Sequence, residues 1–74
     1  MNKEKIIAIK RDNLDRIIEF KTNQNKIYNY EMAKEAINHG IIENAFVLKG
    51  KDNLFYISEN RHTYLNAFEK MEEF

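Results

Sequence analysis

The chain has no cysteine, no proline and no tryptophan, two glycines among its 74 residues, and no excess of either charge. Without cysteine there is no disulfide staple, thiolate metal site or cysteine nucleophile, which excludes the disulfide-dense secreted mini-proteins and fits a reducing compartment. Twelve basic residues balance twelve acidic ones, so the broad positive field of a non-specific nucleic-acid binder is missing. The longest apolar runs, Ile6 to Ile9, Ala45 to Leu48 and Leu54 to Ile57, fall far short of the roughly 20 residues that span a bilayer. No membrane association is expected. Met1-Asn2-Lys3-Glu4-Lys5 is charged but is not followed by an apolar stretch of about 7–15 residues, so no secretory signal is readable and a cytoplasmic location is expected.

Ten isoleucines and nine aromatic residues are present, and 43% of the chain is hydrophobic, enough for a core that a disordered chain lacks. The length predicts a single domain over residues 1–74. Such a core supplies only roughly 3–5 kcal/mol net, so self-association would be unsurprising.

The β-branched run Ile6-Ile7-Ala8-Ile9 predicts a strand over residues 5–11, and Asp12 to Asp15 a turn of short side chains that bond nearby backbone. A second strand follows over residues 16–22, a polar turn at Asn23-Gln24-Asn25, and a short strand over 26–28, together a three-stranded meander. At Asn29 the apolar period changes. Asn29 is a good N-cap, Glu31 suits the helix dipole, and Met32, Ala33, Ala36 and Ile37 recur at helical spacing, which predicts a helix over residues 30–39. Gly40 should end it in the left-handed conformation, with Ile41 making the accompanying apolar contact. Strands over 45–49 and 54–58 flank the turn Gly50-Lys51-Asp52-Asn53. Thr63 could cap a last short helix with Tyr64, Leu65, Phe68 and Met71 facing inward, its acid-rich end fraying.

The expected fold class is therefore α+β, an antiparallel sheet of about five short strands with the main helix on one face and a short C-terminal helix. Alternation selects Ile7, Ile9, Ile18, Phe20, Ile27, Ala33, Ala36, Ile37, Phe46, Leu48, Leu54, Tyr56 and Phe68 as the core. The face chosen in the first, fourth and fifth strands depends on register, since a slip of one residue inverts it.

Candidate chemistry is sparse. His39 and His62 are the only imidazoles, and neither has ligand-spaced partners, so each reads as a capping or solvated side chain and no metal or cofactor is expected. Ser58, Thr22 and Thr63 are the hydroxyls a nucleophile would come from, yet no elbow glycines or base accompany them. A domain this small seldom holds a cleft of about 300 Å³ or more, so no enzyme is expected. Residues 1–26 carry seven basic and four acidic groups. Lys10, Arg11, Arg16, Lys21 and Lys26 are thus the candidate nucleic-acid-binding residues, with Tyr28, Phe55 and Tyr56 as possible stacking surfaces. Edge lysines equally guard a sheet against aggregation, and the aromatics are needed in the core.

The string from Ile6 to Lys21 resembles the opening of a family of small bacterial domains of unknown function found in low-GC Gram-positive genomes. The matching positions are Ile6, Ala8, Ile9, Lys10, Arg11, Asp12, Arg16, Ile17, Phe20 and Lys21, followed by Asn29, Glu31, Ala33, Ile37, Gly40, Ile42 and Val47. A Tyr-Leu-Arg-Ser strand of the family is matched loosely by Phe55-Tyr56-Ile57-Ser58, with Ile57 in place of arginine. The resemblance covers residues 5–58. Beyond it the family pattern has a Pro-Asp-Gly-like turn and an Asn-Asn-Leu segment that Glu59 to Phe74 lacks. It implies a free-standing domain and no activity, ligand or catalytic residue. The functional expectation is a non-enzymatic protein-interaction module, its partner a protein or a second copy; the alternative is an accessory nucleic-acid binder using the five basic residues named above.

Overall fold

The computed structural model describes residues 3–74; Met1 and Asn2 of the charged N-terminal stretch lie outside the described residues. Its elements are β1 (Ile6–Arg11), β2 (Ile17–Thr22), β3 (Ile27–Asn29), α1 (Tyr30–Asn38), β4 (Phe46–Lys49), β5 (Phe55–Ser58) and β6 (Glu72–Glu73). This is a small, mostly antiparallel α+β fold. The predicted meander, helix and hairpin are present with boundaries within a residue or so.

Local chemistry explains the turns. All three hairpins close the same way: Asp15, Asn25 and Asn53 each take a positive φ of 61 to 66°. Each donates its N–H to a carbonyl three residues earlier, on Asp12, Thr22 and Gly50. Asn and Asp tolerate the left-handed region, so a type I turn can be followed by one such residue without glycine. The Asp12 carboxylate further accepts the N–H groups of Leu14 and Arg16 at 2.9 Å. The helix is capped as expected. Asn29 Oδ1 accepts the Met32 N–H at 2.8 Å, and Gly40 (φ +75°) turns the chain so that the Ile41 N–H reaches the Ala36 carbonyl at 2.8 Å. Ile42 rather than Ile41 then enters the core.

Two features of the architecture differ from the expectation. The strands form two sheets, β3-β2-β1-β6 and β4-β5, and β6 lies parallel to β1. The C-terminal helix does not form. Asn66 and Phe68 both take positive φ, and the Glu59 carboxylate accepts the Phe68 N–H at 2.7 Å, a donor that a helix would have directed at Tyr64. What remains is a run of three-residue-spaced turns, Ala67 to Tyr64, Glu69 to Asn66 and Met71 to Phe68. The acid-rich end then pairs with β1, with the Phe74 N–H bonded to the Ile9 carbonyl at 2.9 Å.

Two register shifts in the β1–β2 ladder decide which side chains are buried. Ile6 pairs with Thr22 but Ala8 with Lys21, so the extra residue, Ile7, is turned out and Ile6 and Ile9 face inward instead of Ile7 and Ile9. A second shift opposite Lys10 and Arg11 expels Ile18 and brings Ile17 against the core. In β3, Tyr28 shares the inner face with its partner Phe20, which leaves Ile27 outside with Lys21. In the hairpin, Ile57 is 1% exposed and Leu54 59%, an inversion of the expected face. Phe46, Leu48 and Tyr56 are half-buried on the other side of that hairpin. Phe20, Ala33, Ala36 and Phe68 are buried as predicted, with Ile37 packed against them. Phe20 and Phe68 meet edge-on, ring centres 5.5 Å apart.

Candidate functional site

The smaller sheet does not continue the larger one, and a hollow lies along the seam between them. It is a cleft of about 540 Å³, bounded by Arg11 at the end of β1, Asp15, Arg16 and Ile17 at the β1–β2 turn, Tyr30 on α1, Tyr56 and Ile57 on β5, and Tyr64, Asn66, Ala67 and Glu69 beyond. That volume lies within the range of about 300–1,000 Å³ typical of ligand clefts, larger than the chain length led one to expect.

Each wall has a local cause. Tyr30, the first residue of α1, accepts the Ile57 N–H on its hydroxyl at 2.8 Å, and burial pushes its phenol above the ordinary value. That bond clamps the helix to β5 and aims the hydroxyl's own proton elsewhere. Tyr56 and Tyr64 stack with centres 4.1 Å apart and planes within 9°. The Tyr56 hydroxyl donates to Asp52 Oδ2 at 2.6 Å, and this bond, with smaller help from desolvation, pushes the phenol up to about 12. The same bond, followed by the Leu54 N–H, holds the Asp52 carboxyl below its usual value. Gly50 leaves room for this pair: a Cβ would come within 2.7 Å of both Tyr56 and Asp52 and 3.1 Å of the Tyr64 hydroxyl. Arg11 donates Nη1 to the Asp15 carbonyl at 3.1 Å and lies 3.7 Å from Glu73. Arg16 places Nε 3.0 Å from Asp12 Oδ2, a carboxyl lowered first by the Arg16 N–H and then by the Leu14 N–H and the guanidinium.

The five basic candidates do not gather. Lys10 and Lys21 lie on the outer face of the larger sheet, opposite Glu19 and Ala8 respectively. Arg11 and Arg16 flank the cleft, and Lys26 sits at the other end of β2, 3.5 Å from Glu4. Lys10, Arg11, Arg16 and Lys26 each have a carboxylate oxygen within 4.0 Å. The stacking candidates are likewise dispersed: Tyr28 is on the inner face of the larger sheet, Phe55 lies under Lys34, and only Tyr56 lines the cleft.

Ser58 is fully buried, its Oγ donating to the Thr63 carbonyl at 2.7 Å and accepting the Asn60 N–H at 3.0 Å. It closes a turn. Thr63 Oγ1 accepts the Leu65 N–H, and Thr22 Oγ1 donates to Glu4 Oε1 at 2.7 Å. His39 caps α1, and His62 lines a separate shallow hollow with Lys49, Lys51 and Thr63. Among the described residues no three His, Cys, Asp or Glu side chains converge as they would around a metal ion, and no helix is long and apolar enough to cross a membrane.

One polar centre had no signal in the sequence. Glu4, in the charged run Lys3-Glu4-Lys5, is buried, with its carboxylate bonded to the Thr22 and Tyr28 hydroxyls at 2.7 and 3.0 Å. The Thr22 bond lowers its pKa most, against the opposing effect of burial, and Tyr28 and Lys26 add to the lowering. The Glu4 backbone meanwhile bonds to Ile41 and Glu43, tying β1 to the segment after α1.

The larger sheet has one covered and one open face. Ala33 and Ala36 of α1 share the core with Phe20, so the helix lies on the Phe20 face. Among the described residues no element covers the other face, which holds Ile27 on β3, Lys21 and Glu19 on β2, Ile7 and Lys10 on β1 and Glu72 on β6, with Ile7 and Ile27 both about half exposed.

No match to the chain was found among curated proteins or among solved structures. A family model does match, over residues 5–67, and its description is a protein of unknown function, DUF3892. The match takes in the meander, α1, the hairpin and the turns that bring Tyr64 and Asn66 to the cleft, further into the C-terminal segment than the resemblance over residues 5–58 implied. With that span covered, the chain belongs to the DUF3892 family.

Proposed function

We propose that this domain is a non-enzymatic protein-interaction module whose partner is a second copy of itself, received on the open face of the larger sheet. The observation that carries the reading is the composition of that face: half-exposed Ile27 on β3 and Ile7 on β1, interspersed with Lys21 and Glu19 on β2, Lys10 on β1 and Glu72 on β6. A two-fold interface sets one patch against itself, so it needs both charge signs in the same patch, with apolar residues to exclude water. A standard interface covers about 800 Å² per partner. The four strands, 6, 6, 3 and 2 residues long, present a flat face of roughly 300 Å² at about 4.8 Å between strands and 3.4 Å per residue, so the expected dimer is a weak, concentration-dependent one. A small core gains from such covering.

The nucleic-acid alternative is supported less well, because four of the five basic residues already face carboxylates and the five are spread over both sheet faces and both ends of β2. Size-exclusion chromatography with light scattering separates the two readings. The expected result is a mass of twice 8.9 kDa that reverts to one copy in Ile27→Glu. A chain that stays monomeric up to about 1 mM has no self-affinity worth the name and overturns the reading.

A further inference from the structure

The hollow between the tip of the β4–β5 hairpin and the turn at residues 62–65 differs in charge from every other surface described so far. It holds about 440 Å³, and three basic side chains line it, Lys49, Lys51 and His62, with no acidic one. Lys5, Lys10, Arg11, Arg16, Lys26 and Lys34 each have a carboxylate oxygen within 4.0 Å. Among the described residues, none of Lys49, Lys51 and His62 has one. Asp52, the acid next to Lys51, turns its carboxylate to the Tyr56 hydroxyl at 2.6 Å and the Leu54 N–H at 3.0 Å. Basic groups gathered around a concavity without counter-charge raise a local positive potential that an anion relieves. The rest of the wall suits the organic part of a ligand. Tyr64 is held by its stack on Tyr56, and Leu65 is 71% exposed beside the basic groups. The turn is anchored, because the His62 N–H donates to Asn60 Oδ1 at 2.8 Å and the Asn60 N–H to the buried Ser58 Oγ at 3.0 Å. Thr63 Oγ1 accepts the Leu65 N–H at 3.0 Å and keeps its own proton to give.

We propose that this hollow binds a small phosphate monoester carrying a flat apolar group, the chemistry of a mononucleotide. The phosphate sits among Lys49, Lys51 and His62, and the apolar group lies against Leu48, Tyr64 and Leu65. A monoester carries about −1.5 to −2 charges at pH 7 and three acceptor oxygens, which answer the basic groups and the Thr63 hydroxyl together. A single carboxylate would leave part of the positive charge unanswered. A nucleic-acid chain needs basic groups that continue along its backbone, and here they end at the rim, since Lys10, Arg11, Arg16 and Lys26 belong to the meander and already face carboxylates. The volume is within the range of about 300–1,000 Å³ usual for small-molecule sites. None of the residues used lies on the larger sheet, so the proposal stands apart from self-association.

The test is an amide-resonance titration of the intact chain with adenosine monophosphate. Adenosine, inorganic phosphate, a blocked Gly-phosphoserine-Gly peptide and a thymidine oligonucleotide are titrated in parallel, so that a free monoester, a protein-borne one and a phosphodiester chain are told apart. The expected result is saturable shifts at Lys49, Lys51, His62 and Leu65 with the monophosphate, with adenosine and inorganic phosphate each binding at least tenfold more weakly. Lys49→Gln and Lys51→Gln should each weaken binding about tenfold, the loss of one charge-assisted contact, while Lys21→Gln on the open face leaves it unchanged. Both lysines of the hollow are exposed and outside the core, so the variants keep the fold. Equal binding of adenosine would remove the phosphate from the recognition, and equal binding of inorganic phosphate would reduce the site to an adventitious ion only; either overturns the proposal. So would tighter binding of the phosphoserine peptide or the oligonucleotide at the same amides, or no saturable shift up to about 10 mM monophosphate. Undiminished binding by both lysine variants would likewise overturn it. Dimer formation read by light scattering reports separately on the open face.

Discussion

The meander of β1 to β3 and the segment from Glu59 to Phe74 each send one phenylalanine to the centre, and they do so by different means. Phe20 is placed by a ladder, with Ile9 and Tyr28 as its cross-strand partners. Phe68 has no ladder; it sits at positive φ among turns, positioned by the Glu59 carboxylate on its N–H. Both rings are wholly buried and touch each other. Irregular backbone can therefore deliver a core residue as deeply as a strand can, provided its polar groups find partners. The segment bonds itself through side chains for that purpose: Ser58, Asn60 and Thr63 each accept a backbone N–H two residues ahead.

The comparison is broken most directly at the two rings. Phe20→Ala and Phe68→Ala should each cost about 3–5 kcal/mol, the usual range for emptying a buried aromatic site. A domain with a net stability of roughly 3–5 kcal/mol is expected to be largely unfolded by either, as read by circular dichroism at 25 °C. The milder Phe20→Leu and Phe68→Leu keep the fold and allow urea midpoints to be compared. If Phe68→Leu were neutral while Phe20→Leu was not, the C-terminal segment would be an accessory cover and the equivalence would fail.

That contrast also explains what the sequence made legible. Asp12 to Asp15, Asn23 to Asn25 and Gly50 to Asn53 announce their turns because each holds a residue suited to positive φ at the position that needs it. Asn29 and Gly40 announce the helix ends for a similarly local reason. The buried faces were less readable: the bulge at Ile7 exists only because of how β1 registers on β2, a fact recorded some fifteen residues away. The spacing of Tyr64, Leu65, Phe68 and Met71 suits a helix equally well, and nothing local reveals that Glu59 will take the Phe68 N–H first. The cleft was invisible for the same reason, since Arg11, Tyr30 and Tyr64 converge only once the hairpin has formed a sheet of its own.

Two carboxylates sharpen the comparison at intermediate cost. Glu4 holds the meander by accepting two side-chain hydroxyls, and Glu59 holds the C-terminal segment by accepting one backbone N–H. Glu4→Ala strands the Thr22 and Tyr28 hydroxyls in a buried site and should cost about 1–3 kcal/mol. Its pH signature has a definite sign. The folded-state pKa of Glu4 lies below the ordinary 4.5, so its contribution is present above that value and is lost as pH falls through the lower folded one. Glu4→Gln should therefore lower stability near neutrality and flatten the acid limb of urea midpoint against pH. A variant with an acid limb as steep as the parent's would show that other carboxyls carry it. Glu59→Ala should cost about 1 kcal/mol, the worth of a cap, with hydrogen exchange accelerated at the Phe68 amide and little changed at Phe20. Acceleration at both would mean the two regions open as one unit.

The smallest effect is expected where the two regions are joined through the hairpin. Gly50 leaves room for the Tyr56–Tyr64 stack, and a Cβ there would press on Tyr56 and Asp52 at 2.7 Å. Relieving that overlap parts Tyr56 from Asp52 at a partly exposed site, so Gly50→Ala should cost about 0.5–1 kcal/mol, the lower part of the range for one hydrogen bond. The sensitive readout is the tyrosine titration. In the parent the hydrogen bond to Asp52 pushes the Tyr56 phenol up to about 12. Forcing Tyr56 and Asp52 apart removes the first cause of that elevation, so in Gly50→Ala the value should fall toward 10.0, with a loss of near-ultraviolet dichroism from the stacked pair. A titration that stays near 12 would place the methyl group without displacing Tyr56, and would mean that the C-terminal segment docks on the hairpin with slack to spare.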